Sequence, residues 1–371
     1  MKKQIIITRI LEFGGSNSYL RSLIQYFGKE NVVIVLKKEE EIRFAGKIDP
    51  TGSLSVKFIP GLREFVQFKK YAFIHNLKEV YYALKSFYRI FKLSAGNGFA
   101  RVSVSVIDPE SYLYLFWCPF IDVKYILHTK PGIIRNSCTV STCNIRLGPN
   151  REIITVSQSN KESVITQWKI SKQKEQYVKV VYNCVVVNEK KVSDVLLFPG
   201  GRVIVTMGHV AYYKNPALWL KVARRVTEIR KDVFFYWLGN GDLFNELSNQ
   251  TSSVENINFV GLIENPAPYL KNATIYYQPS IMETQGIAVM EAMSNSLPCI
   301  VSNVGGLPES IENNKNGFVV DAHNEDEHVE RMLELLDNKD LQKSFGEYSI
   351  KKYNQLFLYD VFKKKMDVIY G

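Results

Sequence analysis

The sequence predicts an α/β protein built from two Rossmann-like domains. Three observations carry this. Short apolar runs of strand length alternate with helical patterns, as at 4–10 then 19–27, and at 202–207 then 217–229. Such alternation builds parallel sheets covered by helices. Glycine turns follow several of the apolar runs, at Gly14-Gly15, Gly239-Asn240-Gly241 and Gly305-Gly306, where a parallel sheet presents its ligand-binding edge. Lastly, 371 residues with 46% hydrophobic content suffice for two cores.

The first half begins with a strand at 4–10 and the Gly14-Gly15 turn. Tyr19, Leu20, Leu23, Ile24 and Phe27 then recur at helical spacing. The turn lacks the G-x-G-x-x-G fingerprint, so on its own it reads either as a plain helix entry or as a phosphate loop. A strand at 31–36 leads into a charged loop at 37–41. Residues 63–93 interleave basic residues, among them Lys69, Lys70, Lys85 and Lys92, with aromatics. Two readings stand: core helices with a solvated basic face, or a surface for anionic lipid headgroups. The pattern continues with a strand at 101–107, a buried helix at 110–121, and a strand at 123–127 that ends at His128. A histidine at a strand's carboxyl end suits a cleft, and suits a structural hydrogen bond equally. A strand at 153–157 and the run 178–182, ending before Asn183, close this half, with a linker at 184–201.

The second half opens with a strand at 202–207, followed by Gly208-His209 and Lys214-Asn215-Pro216. A helix is predicted over 217–229, strands over 233–238, 257–261, 274–278, 299–302 and 317–321, and helices over 324–336 and 353–370. Composition narrows the function classes. Residues 1–185 carry a net charge of +14 and the remainder −4, within a total of +10. A basic half suits an anionic partner such as a membrane surface, a lipid phosphate or a nucleic acid. No apolar run is long enough to span a bilayer, and no signal peptide is read at Met1-Lys2-Lys3. Five cysteines without metal-ligand spacing suit reduced thiols in a cytoplasmic protein.

The most informative stretch is 279–310. Gly286 opens a helix that runs to about Ser294. A helix start offers N–H groups and a positive dipole end to an anion, and a glycine there lets a diphosphate approach. Glu291 lies five residues further on, roughly 7.5 Å along the axis. From there a carboxylate can accept hydrogen bonds from vicinal ribose hydroxyls. Glu283 precedes the helix in a loop and can face whatever hangs from the far phosphate. The Gly305-Gly306 turn adds backbone N–H groups beside it.

Glu283, Gly286, Glu291-Ala292-Met293, Pro298, Gly305-Gly306 and Pro308-Glu309, in this order and spacing, resemble the C-terminal signature of the retaining glycosyltransferases of family 4, which have the GT-B fold. The resemblance implies two Rossmann-like domains facing a cleft. Residues 1–185 would bind the acceptor, joined by a C-terminal helix at about 353–371, and 186–352 would bind the donor. It implies sugar transfer from a nucleoside diphosphate sugar to a hydroxyl with retention, without a metal or other cofactor; the basic first half and the aromatic-basic stretch 63–93 add the expectation of cell-surface polysaccharide or glycolipid assembly. Glu283, His128 and Lys214 take the positions of the catalytic residues. Gly14, Gly15, Gly208, His209, Gly286, Ile287 and Glu291 take those of the donor-binding residues. The family has an arginine where this chain has His209. A neutral imidazole offers one donor and little charge, so phosphate binding is weakened, tuned by pH, or compensated by another cation. The expected partners are the donor, a hydroxyl acceptor carried on a lipid, and an anionic membrane surface reached reversibly from the cytoplasm, with no nucleic acid. The competing readings are a GT-B nucleotide-sugar epimerase and a nucleic-acid-binding protein. The latter lacks a recognisable stacking platform or reading helix.

Overall fold

The computed structural model describes residues 2–11, 14–67, 73–119, 121–132, 134, 138–185, 201–263 and 265–371. The chain divides into two compact units, Met1–Asn183 with Lys365–Gly371, and Cys184–Lys364. Both sheets are parallel and alternate with helices, so each unit is a Rossmann-like domain.

In the first unit, β1 (Gln4–Thr8), β2 (Val32–Leu36), β3 (Ser55–Phe58), β4 (Arg101–Val106), β5 (Val123–Leu127), β6 (Arg151–Thr155) and β7 (Val178–Val180) form one sheet in the order β3-β2-β1-β4-β5-β6-β7. Every residue of β1, β2 and β5 is buried, as expected of parallel strands covered on both faces. The edge strand β3 has no buried residue. The helices are α1 (Gly15–Phe27), α2 (Ala45–Ile48), α3 (Phe73–Ala95), α4 (Thr139–Arg146) and α5 (Gln158–Gln167). Lys124 on β5 and Glu152 on β6 are register partners and form a buried ion pair at 2.6 Å.

In the second unit, β8 (Arg202–Met207), β9 (Val233–Leu238), β10 (Ile257–Gly261), β11 (Ile275–Gln278), β12 (Cys299–Ser302) and β13 (Gly317–Val320) follow the order β10-β9-β8-β11-β12-β13. The helices are α6 (Pro216–Ile229), α7 (Phe244–Thr251), α8 (Ala267–Asn272), α9 (Ile287–Ser294), α10 (Leu307–Ser310), α11 (Glu325–Asp337), α12 (Lys339–Leu356) and the first half of α13 (Tyr359–Tyr370), whose second half belongs to the first unit. Asn215, Asn324 and Asn338 cap α6, α11 and α12 through their side chains. Trp219, Trp237 and Phe259 pack against one another in the core. The Trp237 indole also donates to the Gly208 carbonyl at 3.0 Å, so the core fixes the first turn of the site.

Several elements differ from the sequence reading. Over 110–121 there is a 3-10 turn, Leu113–Trp117, rather than a buried helix. Glu110 and Tyr112 adopt left-handed φ of 71° and 60°, which ends any α-helical run, although Leu113, Leu115 and Phe116 are buried as expected. The expected terminal helix at 353–371 is two helices broken between Leu356 and Tyr359, and only Lys365–Gly371 belongs to the first unit. There, Tyr370 bonds Ser103 at 2.8 Å and Asp367 accepts from Tyr26 at 2.9 Å. Within 63–93 one long helix, α3, appears, while Lys69 and Lys70 lie outside the described residues. So does most of the expected linker, 186–200.

Candidate active site

The second unit gathers its polar groups where the strand order reverses, at the carboxyl ends of β8 and β11. That crevice is where open α/β sheets bind ligands. After β8, Gly208 adopts φ +136°, a region open to glycine. The Lys214 side chain passes close to it, with Cε 3.4 Å from where a Cβ would stand. After β11, the chain runs to Glu283. The two loops are tied together, because the N–H groups of Ile281 and Met282 both donate to the Tyr213 carbonyl, at 3.0 and 3.2 Å.

Across this junction Lys214 Nζ donates to Glu283 Oε2. The pair is mostly buried, at 13% and 16% side-chain exposure. Gln278 Nε2 donates to the same oxygen at 2.9 Å, and its Oε1 accepts from Tyr276 Oη at 2.9 Å. The Thr284 N–H donates to the other Glu283 oxygen at 3.2 Å. The carboxylate is therefore oriented from the strand, from its own loop and by a cation.

Glycines let neighbouring backbone come close around it. Gly305 has φ +57°, and a Cβ there would stand 1.6 Å from the Glu283 carbonyl oxygen. Gly286 caps α9 with φ 87° and no side-chain cap. A Cβ there would meet Leu307 Cδ2 at 2.6 Å and Glu283 Cγ at 3.6 Å. Ile287 begins α9, and Glu291 lies within that helix, partly buried. His209 follows Gly208, and its Nδ1 lies 2.8 Å from Tyr213 Oη. Burial, reinforced by Lys214, lowers the His209 pKa, so the ring is neutral at neutral pH.

Thus Gly208, His209, Lys214, Glu283, Gly286, Ile287 and Glu291 all fall in the second unit, with Lys214 and Glu283 in direct contact. Gly14, Gly15 and His128 belong to the first. Gly14 precedes α1 with φ +129°, and among the described residues nothing beyond its chain neighbours lies within 4 Å of a Cβ built there, so its glycine serves conformation rather than space. His128 follows β5. Its Nε2 lies 2.8 Å from Ser105 Oγ, and Tyr19 of α1 packs edge-on against the ring at 4.8 Å. Burial lowers its pKa to about 4, so it too is neutral. Two contributors escaped the sequence reading. Tyr213 joins the loops, and Gln278 orients Glu283. A polar residue ending the buried strand Ile-Tyr-Tyr-Gln was the available signal for Gln278. Among the described residues no group of three His, Cys, Asp or Glu is placed to hold a metal ion.

Residues 187–352 match the family described as Glycosyl transferases group 1. The chain is 28% identical over 143 residues to the UDP-Gal:alpha-D-GlcNAc-diphosphoundecaprenol alpha-1,3-galactosyltransferase of Escherichia coli, a match covering 37% of each chain. The chain spans less than half the length of the curated relatives it matches. Two solved structures align over nearly all of it. A glycosyltransferase from Rickettsia africae has a TM-score of 0.77 at 16% identity, with 99% of this chain and 98% of that one covered. The Alr3699/HepE protein of Anabaena, in complex with UDP, has a TM-score of 0.77 at 13% identity, with the same coverage. Both share the fold described above.

Proposed function

We propose that the chain is a GT-B glycosyltransferase that moves a sugar from a nucleoside diphosphate sugar to a hydroxyl acceptor, with retention. The observation that carries this reading is the Lys214–Glu283 pair, held at the sheet's switch point inside the segment matched to Glycosyl transferases group 1. The pair presents a cation and a carboxylate side by side. Lys214 and the N–H groups at the start of α9 would stabilise the leaving diphosphate, whose charge is the main obstacle to reaction. Glu283, oriented by Gln278, would hold hydroxyls of the transferred sugar. Glu291 would accept from the ribose. The reading draws all positive charge for the diphosphate from protein groups, with no metal or cofactor invoked.

The relative from Escherichia coli is named for an acceptor on diphosphoundecaprenol. That name, together with the +14 charge of residues 1–185, supports a lipid-linked acceptor in cell-surface glycan assembly, reached from the cytoplasmic side. A thermal-shift screen with UDP, GDP, ADP, CMP and dTDP identifies the base. A nucleotide at 100 times its dissociation constant adds about 2.7 kcal/mol of stability. With the matching donor sugar, consumption should need an acceptor, and the product should keep the donor's anomeric configuration. Consumption without acceptor would instead indicate an epimerase, and an inverted product would remove retention.

A further inference from the structure

The first unit leaves a broad apolar face uncovered on α3. The helix reverses the usual pattern, since its buried residues are Glu79, Ala83, Ser86, Ile90 and Ser94, mostly small or polar. Phe73, Leu77, Val80, Leu84, Tyr88 and Phe91 are 38–75% exposed. Their spacing of three or four residues lines them along one face. Lys78, Lys85 and Lys92 are also exposed and recur one heptad apart, so they run along one flank of that face. The only acidic residue of α3, Glu79, is turned inward. It accepts from Arg63 Nη2 at 2.6 Å and from the Gln67 N–H at 3.1 Å. The exposed surface of this helix is therefore apolar and cationic, with no negative charge.

That combination selects among possible covers. A second copy would bring another uncompensated row of lysines to the seam, and an ordinary apolar protein surface would leave the lysines unpaired. An anionic bilayer satisfies both parts, because the apolar face sinks to the acyl boundary while lysines reach the phosphates. No helix among the described residues is long and apolar enough to cross a membrane. We propose that α3 lies in the plane of an anionic membrane, with Phe73, Leu77, Leu84 and Tyr88 inserted and Lys78, Lys85 and Lys92 on headgroup phosphates. Its purpose, bringing the enzyme to a lipid-linked acceptor, rests on the proposed function. The surface itself does not.

The test is co-sedimentation of the full chain with vesicles of phosphatidylcholine alone or mixed with phosphatidylglycerol, at low and high salt. The wild type should bind only the mixed vesicles, and less tightly in high salt. K78E/K85E/K92E should lower partitioning about 100-fold, at about 1 kcal/mol per basic residue and 1.4 kcal/mol per tenfold. L77S/L84S/Y88S should lower it by about 1000-fold, each side chain contributing roughly tenfold. Both variants should melt like the wild type and bind nucleoside diphosphate equally, because the changed side chains are exposed and outside the donor unit. Absence of wild-type binding to mixed vesicles at low salt overturns the proposal, as does equal binding by the variants. A wild-type dimer that L77S/L84S/Y88S splits, seen by sedimentation velocity, would assign the face to a second copy. Failure of the donor reading would look different, with vesicle binding intact and no nucleotide bound.

Discussion

Each unit holds a nearly buried lysine–glutamate pair, and the two pairs occupy opposite ends of their sheets. Lys124 and Glu152 are the second residues of β5 and β6, paired in register at the amino edge, at 5% and 10% exposure. Lys124 is completed by the Pro149 carbonyl at 2.9 Å. Lys214 and Glu283 stand in loops beyond the carboxyl edge of β8 and β11, slightly more open. Burial and partners are similar, yet the surroundings differ. The first pair sits between paired strands. The second sits among glycines and loops, where a ligand can replace either partner. On the proposed function, position on the sheet separates a charge that serves the fold from one that serves chemistry.

The largest expected effects test that division directly. Glu152→Ala should cost about 3–5 kcal/mol of stability, because it leaves Lys124 buried and unpaired. Below its melting temperature it should keep wild-type turnover. Lys214→Ala should act chiefly on the reaction, lowering turnover about 100- to 1000-fold through lost stabilisation of the leaving group, with a smaller loss of stability because Gln278 and the Thr284 N–H still donate to the Glu283 carboxylate. Denaturant titration and initial rates on both variants decide it. A Glu152→Ala protein that is stable but inactive, or a Lys214→Ala protein at full rate, would break the comparison.

The same asymmetry explains what could be read in the sequence. Strands showed plainly in both units, since buried parallel strands such as Ile5-Ile6-Ile7 and Val203-Ile204-Val205 are continuous apolar runs. The donor loops showed because close approach fixes residue type there. Gly305 must be glycine where its Cβ would overlap the Glu283 carbonyl. At the first unit's switch point, Arg9 pairs with Glu41 at 2.9 Å, and Lys37 with Glu64 at 2.6 Å and Asp108 at 3.1 Å. Such a network is set by folding across distant loops and leaves no local spacing. For the same reason the edge strand β3 and the helices α4 and α5 escaped: β3 alternates only between exposed and half-buried, and α5 has just Asn160 and Val164 buried.

Gly305→Ala sharpens the comparison at the backbone. The added Cβ would stand 1.6 Å from the Glu283 carbonyl at a φ of +57°, so the Glu283 loop must shift. A misplacement near 1 Å costs about 100-fold in rate, and crystal structures of the variant would show the displaced loop. A smaller effect separates the two glutamates of the motif. Glu291→Ala should weaken nucleoside diphosphate binding by about 1.5–3 kcal/mol, the value of a hydrogen bond to a charged acceptor. Glu283→Ala should leave that affinity nearly intact and lower turnover. Titration calorimetry with the nucleotide alone distinguishes them, and equal losses would merge their roles.

The smallest expected effect concerns His209, where the second unit departs from the family resemblance. Its Nδ1 lies 2.8 Å from Tyr213 Oη, and the charge of Lys214 acts on the ring. Burial and that cation favour the neutral form, placing its pKa below the usual value of 6.5. Of His209 and Lys214, only Lys214 is therefore a fixed cation at neutral pH. A bound diphosphate adds negative charge beside the ring and favours imidazolium, so the ring's pKa is higher in the complex and nucleotide binding should take up a proton at pH values between the free-site pKa, below 6.5, and that raised value. Affinity should then rise from pH 8 toward pH 6 in the wild type. His209→Arg supplies the second cation at every pH, so it should keep or raise affinity at pH 8 by several-fold, within about 1.4 kcal/mol per tenfold, and flatten the pH dependence. Calorimetry in buffers of different ionisation enthalpy reads the proton directly. A wild type that binds nucleotide equally at both pH values with no proton uptake would place His209 outside the phosphate site and leave Lys214 as its only cation from this loop.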